Sequence, residues 1–295
     1  MTKILLTGKN GQLGKELQPL LSTTGELMAF GKEELDLSNS DQIRDCIEKH
    51  QPDIIINAGA YTAVDKAESE PELAHAVNSN APKIIAESAE KIGARLFHIS
   101  TDYVFDGTKN KPYTEQDQPH PIGVYGKSKL AGEEAIKNSC SNYVILRTAW
   151  VYGVYGKGNF VKTMLRLGTE REELKVVSDQ TGTPTWTNDI AKAIMGLVAN
   201  LPSSPVQEIY HFTNSGVASW YDFSIAIFEE AKVLHFPLKI HRVSPISTEE
   251  YPTPAKRPAY SVLSGEKIGK ILGTPPPQWR VSLREMLTQL STEKQ

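Results

Sequence analysis

The first 150 residues alternate short apolar runs with longer amphipathic segments, and this alternation limits the fold more than any other feature of the sequence. The apolar runs that predict strands are 3–7, 27–30, 53–57, 94–100 and 143–147. The segments that predict helices are 12–21, 40–50, 70–92 and 122–137, the second of them capped by Ser40 or Asp41. Strands that alternate with helices predict an α/β fold with a Rossmann-type doubly wound parallel sheet.

The segment GKNGQLG at 8–14 joins the first predicted strand to the first predicted helix. Small residues let the chain turn tightly and let a pyrophosphate approach the backbone, while the N–H groups at the helix start favour its negative charge. An ordinary strand–helix turn is the alternative. The position between strand and helix favours a dinucleotide site. The candidate contacts are Gly8, Gly11, Gln12, Leu13 and Gly14.

The second half of the chain is less regular and rich in proline. It predicts helices at 160–171, 187–200 and 220–234, a last helix in the segment SLREMLTQL, and strands at 174–177 and 208–212. We therefore expect a dinucleotide-binding domain over residues 1–150, to whose sheet the chain returns from about 174 to 212. Residues 151–295 would mainly form a smaller C-terminal α/β lobe that binds the substrate.

Composition and charge argue against several other classes of protein. The 295 residues carry a formal net charge of −3, so no basic surface field favours nucleic acid or an anionic membrane as partner. Cys46 and Cys140 lie far apart and form no metal-ligand or redox motif. The sequence has no secretory signal and no apolar run near the ~18 residues of a membrane span. We expect a cytoplasmic protein.

The end of the second predicted strand bears on the choice between NAD and NADP. NAD-specific sites usually carry an acidic residue there, which binds the ribose 2′-hydroxyl. This chain has Gly31 followed by Lys32, whose ammonium can meet a 2′-phosphate. A plain surface lysine is the alternative. We expect NADP(H) or NAD(H) as cofactor, with NADPH accepted at least as well as NADH.

Tyr125 and Lys129 form a YxxxK pair in the predicted helix 122–137, on one face of that helix. A phenol has a reference pKa of about 10, and a nearby lysine ammonium lowers it toward the range useful for acid–base chemistry. Thr101 follows the fourth predicted strand, where open α/β sheets bind ligands, and can orient a carbonyl group. A Tyr/Lys pair alone is common on surfaces. This pair, however, follows the glycine loop and Thr101 in the chain. That order of motifs indicates that Thr101, Tyr125 and Lys129 are catalytic.

These motifs and several longer stretches resemble the dTDP-4-dehydrorhamnose reductases, a family of extended short-chain dehydrogenases, over nearly the whole chain. The resemblance is carried by NAGAYTAVDKAESEPE at 57–72, STDYVFDG at 100–107, YGKSKLAGE at 125–133, RTAWVYG at 147–153, GNFVKTMLRL at 158–167, DQTGTPT at 179–185 and YPTPAKRP at 251–258. It implies reduction of the C4 keto group of dTDP-4-dehydro-β-L-rhamnose. The product, dTDP-β-L-rhamnose, is a sugar donor for cell-surface polysaccharides.

The resemblance also implies roles for individual residues. Tyr125 would donate the proton to the developing alkoxide, Lys129 would bind the nicotinamide ribose, and Thr101 would hydrogen-bond the carbonyl oxygen. The implied substrate contacts are Thr101, Asp102, Tyr103, Trp150 and Arg257. The further implied cofactor contacts are Asp36, Leu37, Ala58, Ala60, Tyr61, Thr62 and Ile99.

Some members of that family bind a divalent cation through carboxylates at a dimer contact. Glu16 matches one such position, but Asn188 stands where another carboxylate is expected. A hard cation needs several oxygen ligands. We therefore expect no metal site, and the sequence leaves a homodimer open.

Two alternatives share the fold. A nucleotide-sugar epimerase or dehydratase would return the hydride and show no net oxidation of NAD(P)H. Dehydratases usually carry further acidic residues beside the catalytic threonine, whereas here Asp102 alone adjoins Thr101. A non-catalytic NADP-binding protein similar to the regulatory subunit of methionine adenosyltransferase would have another protein as partner. The DYVF and RTAW segments argue against it.

Overall fold

Twelve strands occur in a computed structural model that describes residues 1–292. They are β1 Lys3–Thr7, β2 Glu26–Phe30, β3 Ile54–Asn57, β4 Arg95–Thr101, β5 Tyr143–Thr148, β6 Val151–Tyr152, β7 Glu173–Val177, β8 Thr181–Gly182, β9 Thr185–Trp186, β10 Gln207–His211, β11 Ala218–Ser219 and β12 Arg242–Ile246. Residues 293–295 of the predicted C-terminal lobe lie outside the described residues. Six of these strands form one parallel sheet in the order β10-β5-β4-β3-β1-β2.

The chain reverses direction across this sheet at β1. It adds β2 on one side of β1 and then places β3 on the other side, with every neighbouring pair parallel. Such a reversal leaves a crevice at the carboxyl ends of the strands, where α/β proteins bind ligands. The predicted doubly wound sheet is confirmed, and the glycine loop after β1 lies at the crevice.

Helices cover both faces of the sheet. They are α1 Gln12–Ser22, α2 Ser40–His50, α3 Val64–Ala67, α4 Pro71–His75, α5 Ala81–Ile92, α6 Val124–Ser139, α7 Phe160–Glu170, α8 Thr187–Asn200, α9 Trp220–Val233, α10 Glu266–Leu272 and α11 Trp279–Thr292. α1 and α8 pack on one face, where Leu17 and Ile194 are fully buried, and α2, α5 and α6 pack on the other. Within residues 1–292, no helix has the length and apolarity that a bilayer crossing requires.

A separate apolar cluster lies among α7, α9 and α11. Tyr152 and Phe223 meet there at a ring-centroid distance of 5.4 Å, and Trp279 packs edge-on against Phe223. The strand predicted at 174–177 forms as β7, but it pairs with β12 next to this cluster and does not join the main sheet. Of the strands predicted between 174 and 212, β10 alone returns to that sheet, and β7 forms a separate two-stranded sheet with β12.

The helix predicted over 70–92 is wrong as a continuous element. The chain forms α4, then a π-helical turn at Ala76–Asn80, then α5. Pro82 has no N–H to donate into a regular α-helical ladder, so the hydrogen-bond register shifts just before it. The shifted turn carries Asn78, which is 1% exposed and serves the site described below.

The cap predicted for α2 is displaced by one residue. Asn39, not Ser40 or Asp41, has the extended backbone of a cap, and its side chain accepts hydrogen bonds from the N–H groups of Asp41 and Gln42. Asparagine, aspartate and serine serve almost equally well as helix caps, so a run of such residues does not reveal which one is used.

Arg147 on β5 and Glu133 on α6 form a buried ion pair with an N–O distance of 2.6 Å. This pair offers a test of the packing of α6. Arg147→Met would leave Glu133 charged and unpaired in the interior. We expect it to lower the free energy of unfolding by about 3–5 kcal/mol in urea denaturation. Arg166→Met is the control, since its pair with Glu170 is exposed, and we expect less than about 1 kcal/mol. Equal effects of the two variants would contradict the prediction.

Candidate active site

A cavity of about 780 Å³ opens at the carboxyl ends of the parallel strands, around the crevice between β1 and β3. Its lining includes most residues that the sequence singled out: Gly8, Gly11, Gln12, Leu13, Lys32, Asp36, Leu37, Ala58, Ala60, Tyr61, Thr62, Ile99, Thr101, Asp102, Tyr103, Tyr125, Lys129 and Trp150. Gly14 and Arg257 are the predicted site residues that do not line it. A cavity of several hundred cubic ångströms is typical of a cofactor or small-molecule site.

The glycine loop has the geometry that a dinucleotide pyrophosphate requires. Gly8 has a φ of +75°, which a residue with a Cβ rarely adopts. Gly11 precedes α1 and offers no side chain to cap it, so the first N–H groups of α1 stay available to a ligand. A Cβ on Gly14 would lie 2.2 Å from the Gly8 carbonyl oxygen. Gly14 therefore serves the packing of α1 on the loop and does not face the cavity.

The end of β2 carries a carboxylate that the sequence analysis missed. Glu34 Oε2 accepts a hydrogen bond from the Gly31 N–H at 2.7 Å, and Oε1 pairs with the Lys9 ammonium. The hydrogen bond from Lys9 and the one from Gly31 hold the pKa of Glu34 below its usual range. Lys32 lines the cavity at the same turn. The residue that ends β2 is followed by Gly31, which carries no acidic side chain, as the sequence shows. The turn nevertheless folds the Glu34 carboxylate back onto the Gly31 backbone.

A clamp built on Asn78 fixes the loop that follows β3. Its side-chain oxygen accepts from the Tyr61 N–H, and its nitrogen donates to the Tyr61 carbonyl, both at 2.9 Å. The same nitrogen lies 3.1 Å from the Ser128 hydroxyl on α6. The loop 58–62, which we expected to pass the cofactor, is thereby fastened to the helix that carries Tyr125. No pattern in the sequence singled out Asn78, because its position depends on the π-helical turn.

Tyr125 lies in the first turn of α6. Burial is the main cause that raises the pKa of its phenol above the usual value, and Asp102 and Tyr103 act in the same direction. A hydrogen bond with Thr101 acts against them. We expected Lys129 to lower this pKa, but here burial outweighs any such effect. The phenol therefore keeps its proton at neutral pH, as a proton donor must.

Lys129 lines the cavity one turn after Tyr125 and is almost fully buried. Its Nζ donates to the Ile99 carbonyl at 2.6 Å and lies 3.2 Å from His98 Nε2. Burial lowers the pKa of Lys129 to about 8, with Glu133 opposing the shift. The predicted helical pairing of Tyr125 with Lys129 is present, and the lysine is held at the end of β4.

Thr101 and Asp102 form the wall of the cavity next to Tyr125. The Thr101 hydroxyl donates to Asp102 Oδ1 at 3.0 Å and accepts from the Tyr103 N–H at 3.2 Å. Asp102 Oδ2 is buried and has no hydrogen-bond partner among residues 1–292. Burial raises the pKa of Asp102 to about 6, while Ser261 and Thr101 act in the opposite direction. An unpaired carboxylate oxygen at this wall suits a hydroxyl group of a ligand.

Two aromatic residues complete the wall. Trp150 stacks on Trp220 with ring centroids 3.5 Å apart and planes inclined by 4°. Its φ of +47° is strained for a residue other than glycine, and such strain is common at ligand sites. Tyr103 contacts Tyr125 edge-on, at 5.5 Å between ring centroids.

Arg257 stands behind Tyr103 and does not reach the cavity lining. It donates to the Tyr103 hydroxyl at 3.0 Å and to Asp65 at 2.8 Å. Both branches of its guanidinium are engaged within the chain, and its implied contact with the substrate stays a prediction. The observed contacts give it a direct part in holding Tyr103 in place.

Several cavity residues were not singled out from the sequence. They are Asn10, Gly59, Thr148, Lys157 and Asn159, among others. Thr148 is the register partner of Thr101 at the end of β5, and its hydroxyl has no hydrogen-bond partner within the described chain. The rule that strand carboxyl ends line ligand sites would have found Thr148. Asn159 donates to the Gln12 side chain at 2.7 Å and so ties the glycine loop to the C-terminal lobe.

The carboxylate of Glu16 is occupied within the chain. Asn188 donates to one of its oxygens at 3.0 Å, and Thr187 contacts the other at 3.3 Å. An amide at position 188 thus binds Glu16 directly, where a second carboxylate would repel it. Residues 1–292 contain no group of three or more His, Cys, Asp or Glu side chains arranged to hold a metal ion.

A dinucleotide loop that shares one cavity with Tyr125 and the buried Lys129 defines a class of protein, the nicotinamide-dependent short-chain dehydrogenases and reductases.

Comparison with known proteins narrows this class to a family. A family described as RmlD substrate binding domain matches residues 1–292. The dTDP-4-dehydrorhamnose reductase of Escherichia coli strain K12 is 44% identical over 295 residues, which cover 98% of each chain. The spore coat polysaccharide biosynthesis protein SpsK of Bacillus subtilis strain 168 is 43% identical over 293 residues, with 99% of each chain covered.

A solved structure of a protein with the same name as the Escherichia coli relative is also similar to this chain. The dTDP-4-dehydrorhamnose reductase of Bacillus anthracis, crystallised in complex with NADP, superposes with a TM-score of 0.90 at 40% identity, covering 98% of this chain and 100% of that one. The chain belongs to the dTDP-4-dehydrorhamnose reductase family, and the resemblance drawn from its motifs is confirmed.

The buried carboxylate of Asp102 gives the site a measurable pH signature. Since its pKa is raised in the folded state, the charged carboxylate destabilises the fold above about pH 6, and this effect fades as the pH falls through 6. At about pH 8, we expect the free energy of unfolding of Asp102→Asn to be higher than that of the unchanged protein by about 1–3 kcal/mol. The difference should shrink at about pH 5 in urea denaturation.

Asp117→Asn is the matched control for this experiment. Hydrogen bonds, chiefly from Lys109, hold the pKa of Asp117 below its usual value, so its carboxylate stabilises the fold at neutral pH. Asp117→Asn should therefore lower the free energy of unfolding at about pH 8. The same sign of change for both variants would contradict the assignment.

Proposed function

We propose that the protein reduces the C4 keto group of dTDP-4-dehydro-β-L-rhamnose with NADPH or NADH and releases dTDP-β-L-rhamnose. The observation that carries the proposal is the joint placement of the glycine loop, Thr101, Tyr125 and Lys129 in one cavity. Membership of a family whose relatives are named for this reaction supports the choice of substrate. The name of the Bacillus subtilis relative supports a place in polysaccharide synthesis.

The residues that would hold the dinucleotide follow the cavity floor. The loop 8–14 would bind the pyrophosphate, and Asp36 and Leu37 would contact the adenosine portion. The loop 58–62 and Ile99 would line the path toward the nicotinamide, whose ribose Lys129 would bind. Bound there, the dinucleotide would supply the hydride for C4 of the sugar.

The protein's own chemistry is the supply of a proton. Tyr125 would donate its phenolic proton to the C4 oxygen as negative charge develops there. Burial keeps this phenol protonated at neutral pH, as its raised pKa requires. Thr101 would hydrogen-bond the same oxygen, and the Lys129 ammonium would stabilise Tyr125 once its proton has left. These donors act most strongly on charge that exists only in the transition state.

The sugar nucleotide would lie against the wall formed by Asp102, Tyr103 and Trp150. The unpaired Oδ2 of Asp102 would accept a hydrogen bond from a sugar hydroxyl. Trp150 and Tyr103 offer aromatic faces to a deoxysugar or thymine ring. Arg257 would act by holding Tyr103, with which it forms a hydrogen bond.

We also propose the division of labour expected from the sequence, with residues 1–150 serving the dinucleotide and residues 151–295 mainly the sugar nucleotide. Synthesis of nucleotide sugars and supply of NADPH both favour the cytoplasm as the site of the reaction. A homodimer stays a prediction. An epimerase or a non-catalytic subunit would show no net oxidation of NADPH, so the assay below distinguishes the proposed reductase from both.

Tyr125→Phe tests the role of the phenol. It removes the proton donor and leaves the ring in place, so we expect kcat to fall by about 10²–10⁴-fold. The dissociation constant for NADPH, measured by nucleotide fluorescence, should change less than about threefold, because the ring and Lys129 remain. Turnover is followed by the loss of NADPH absorbance with dTDP-4-dehydro-L-rhamnose made in situ.

Tyr210→Phe is the control, since Tyr210 lies on β10 and does not line the cavity. It should keep the activity of the unchanged protein. Activity of Tyr125→Phe within about tenfold of that protein would remove Tyr125 from the acid role. An unchanged protein that binds NADPH but never oxidises it would refute the proposed reduction.

Lys32→Ala tests the cofactor preference. If Lys32 meets the 2′-phosphate, its loss removes a charge-assisted contact from NADPH alone, and we expect KM for NADPH to rise about five- to tenfold. KM for NADH should stay within about twofold. Lys91→Ala, on α5 away from the cavity, is the control and should change neither value. Equal increases for both cofactors would show that Lys32 does not select between them.

A further inference from the structure

A row of buried polar side chains runs beneath the catalytic end of the sheet. Thr7, Asn57 and His98 are register partners on the neighbouring strands β1, β3 and β4. Lys129 on α6 continues the row, and none of the four residues is more than 2% exposed. Their neighbours earlier on each strand are apolar and buried, so this polar row is a distinct feature of the strand ends.

The row is hydrogen-bonded from end to end. The Gly59 N–H donates to Thr7 Oγ1 at 3.2 Å, and the Thr7 hydroxyl donates to Asn57 Oδ1 at 2.7 Å. Asn57 Nδ2 lies 3.0 Å from His98 Nδ1, and His98 Nε2 lies 3.2 Å from Lys129 Nζ. The row therefore connects the loop after β3 to the lysine of the site.

Protons can be arranged in this row in two ways. In the first, Asn57 donates to His98 Nδ1, so a neutral His98 carries its proton on Nε2 and donates it to an uncharged Lys129 amine. In the second, the Asn57 amide is turned over, His98 Nδ1 donates to the amide oxygen, and His98 Nε2 accepts from the Lys129 ammonium. A neutral imidazole has one donor and one acceptor nitrogen, so each arrangement fits one charge state of Lys129.

In the second arrangement the Asn57 amide still has a partner at each end. Asn57 Nδ2 then donates to Thr7 Oγ1, which can accept this hydrogen bond together with the one from Gly59. Burial and the Lys129 charge hold the pKa of His98 well below its usual value, so the imidazole stays neutral in both arrangements. His98 can therefore switch tautomer without gaining charge.

Other charged groups near Lys129 are few. Glu133 lies one turn further along α6, and Arg147 on β5 binds its carboxylate. Tyr125 and Asp102 lie on the cavity side. The π-helical turn Ala76–Asn80, which packs on α6, carries no titratable side chain. His98 is thus the titratable group in hydrogen-bond contact with Lys129 Nζ within the described chain.

We propose that His98 is a positioning residue for the reduction, which accepts a hydrogen bond from Lys129 through Nε2 and so favours the charged lysine. Asn57, with its amide turned over from the placement in which Nδ2 faces His98, accepts from Nδ1–H and holds the histidine tautomer that makes this possible. The inference rests on the proposed function, in which the Lys129 ammonium binds ribose and supports Tyr125. It extends the site by a second layer, from α6 into the sheet as far as Thr7.

The tautomer of His98 can be observed without any turnover, by nitrogen NMR of protein labelled in its seven histidines. His98→Gln identifies the His98 signals. We expect the Nδ1–H form at neutral pH and the Nε2–H form in alkali, with a midpoint near 8, the pKa of Lys129. Lys129→Met should remove the transition. A His98 that keeps its proton on Nε2 throughout the range from about pH 6 to 10 overturns the proposal.

The kinetic test compares His98→Leu with the conservative variant His98→Gln. Leucine offers no acceptor, so the alkaline limb of kcat/KM should move down by about one pH unit, and kcat/KM at about pH 8 should fall about fivefold. Glutamine presents an amide oxygen to Lys129 and should restore the limb to within about 0.3 unit of its original position.

His211→Gln is the control for losing a buried histidine. His211 is as buried as His98 but contacts Arg147 and the Tyr113 carbonyl, so its loss should lower stability and leave the limb in place. If His98 had only a structural role, His98→Leu would also leave the alkaline limb of the kcat/KM profile in place. Equal limbs in His98→Leu and the unchanged protein therefore overturn the proposal.

The two tests separate this inference from the proposed function. If the unchanged protein oxidises no NADPH with the ketosugar, the proposed function fails, and the NMR titration still decides the role of His98. If it turns over normally but His98 keeps its proton on Nε2 throughout the titration, the inference fails and the function stands.

Discussion

Close contact between backbones sets the position of α6, and the site depends on that position. A Cβ on Gly126 would lie 2.1 Å from the Tyr103 carbonyl oxygen, and a Cβ on Gly132 would lie 2.1 Å from the Asn78 carbonyl oxygen. Neither contact leaves room for a side chain, so α6 approaches the site more closely than a helix with larger residues could. This approach brings Lys129 onto the Ile99 carbonyl.

Burial is the common cause of the unusual electrostatics of the site. It lowers the pKa of Lys129, raises the pKa values of Tyr125 and Asp102, and holds the pKa of His98 low. Groups removed from water in this way depend on the partners that the fold supplies, because hydrogen bonds are stronger in a medium of low dielectric constant. The polar row at the strand ends supplies such partners for Lys129.

Much of the fold and of the candidate site was predictable from local pattern. The apolar runs located the five strands of the N-terminal half, and strand–helix alternation gave the doubly wound sheet. The motifs located the glycine loop, Thr101, Tyr125 and Lys129, and the structure brings all of them to one cavity except Lys9 and Gly14 of the loop. The predicted cap of α2 was wrong because several neighbouring residues can cap a helix equally well, and the chain uses Asn39. The predicted continuous helix over 70–92 was wrong because the helical register shifts just before Pro82.

The sequence by itself determined the elements, the glycine loop and the helical pairing of Tyr125 with Lys129, because periodicity, turn chemistry and helix geometry act within a few residues of the chain. Only the tertiary structure decided that β7 pairs with β12, that Arg257 binds Tyr103, and that His98 lies beneath Lys129. Arg257 and Tyr103 lie 154 positions apart in the chain, and His98 and Lys129 lie 31 positions apart. Such partners are chosen by how packed elements meet in space, which local spacing does not encode.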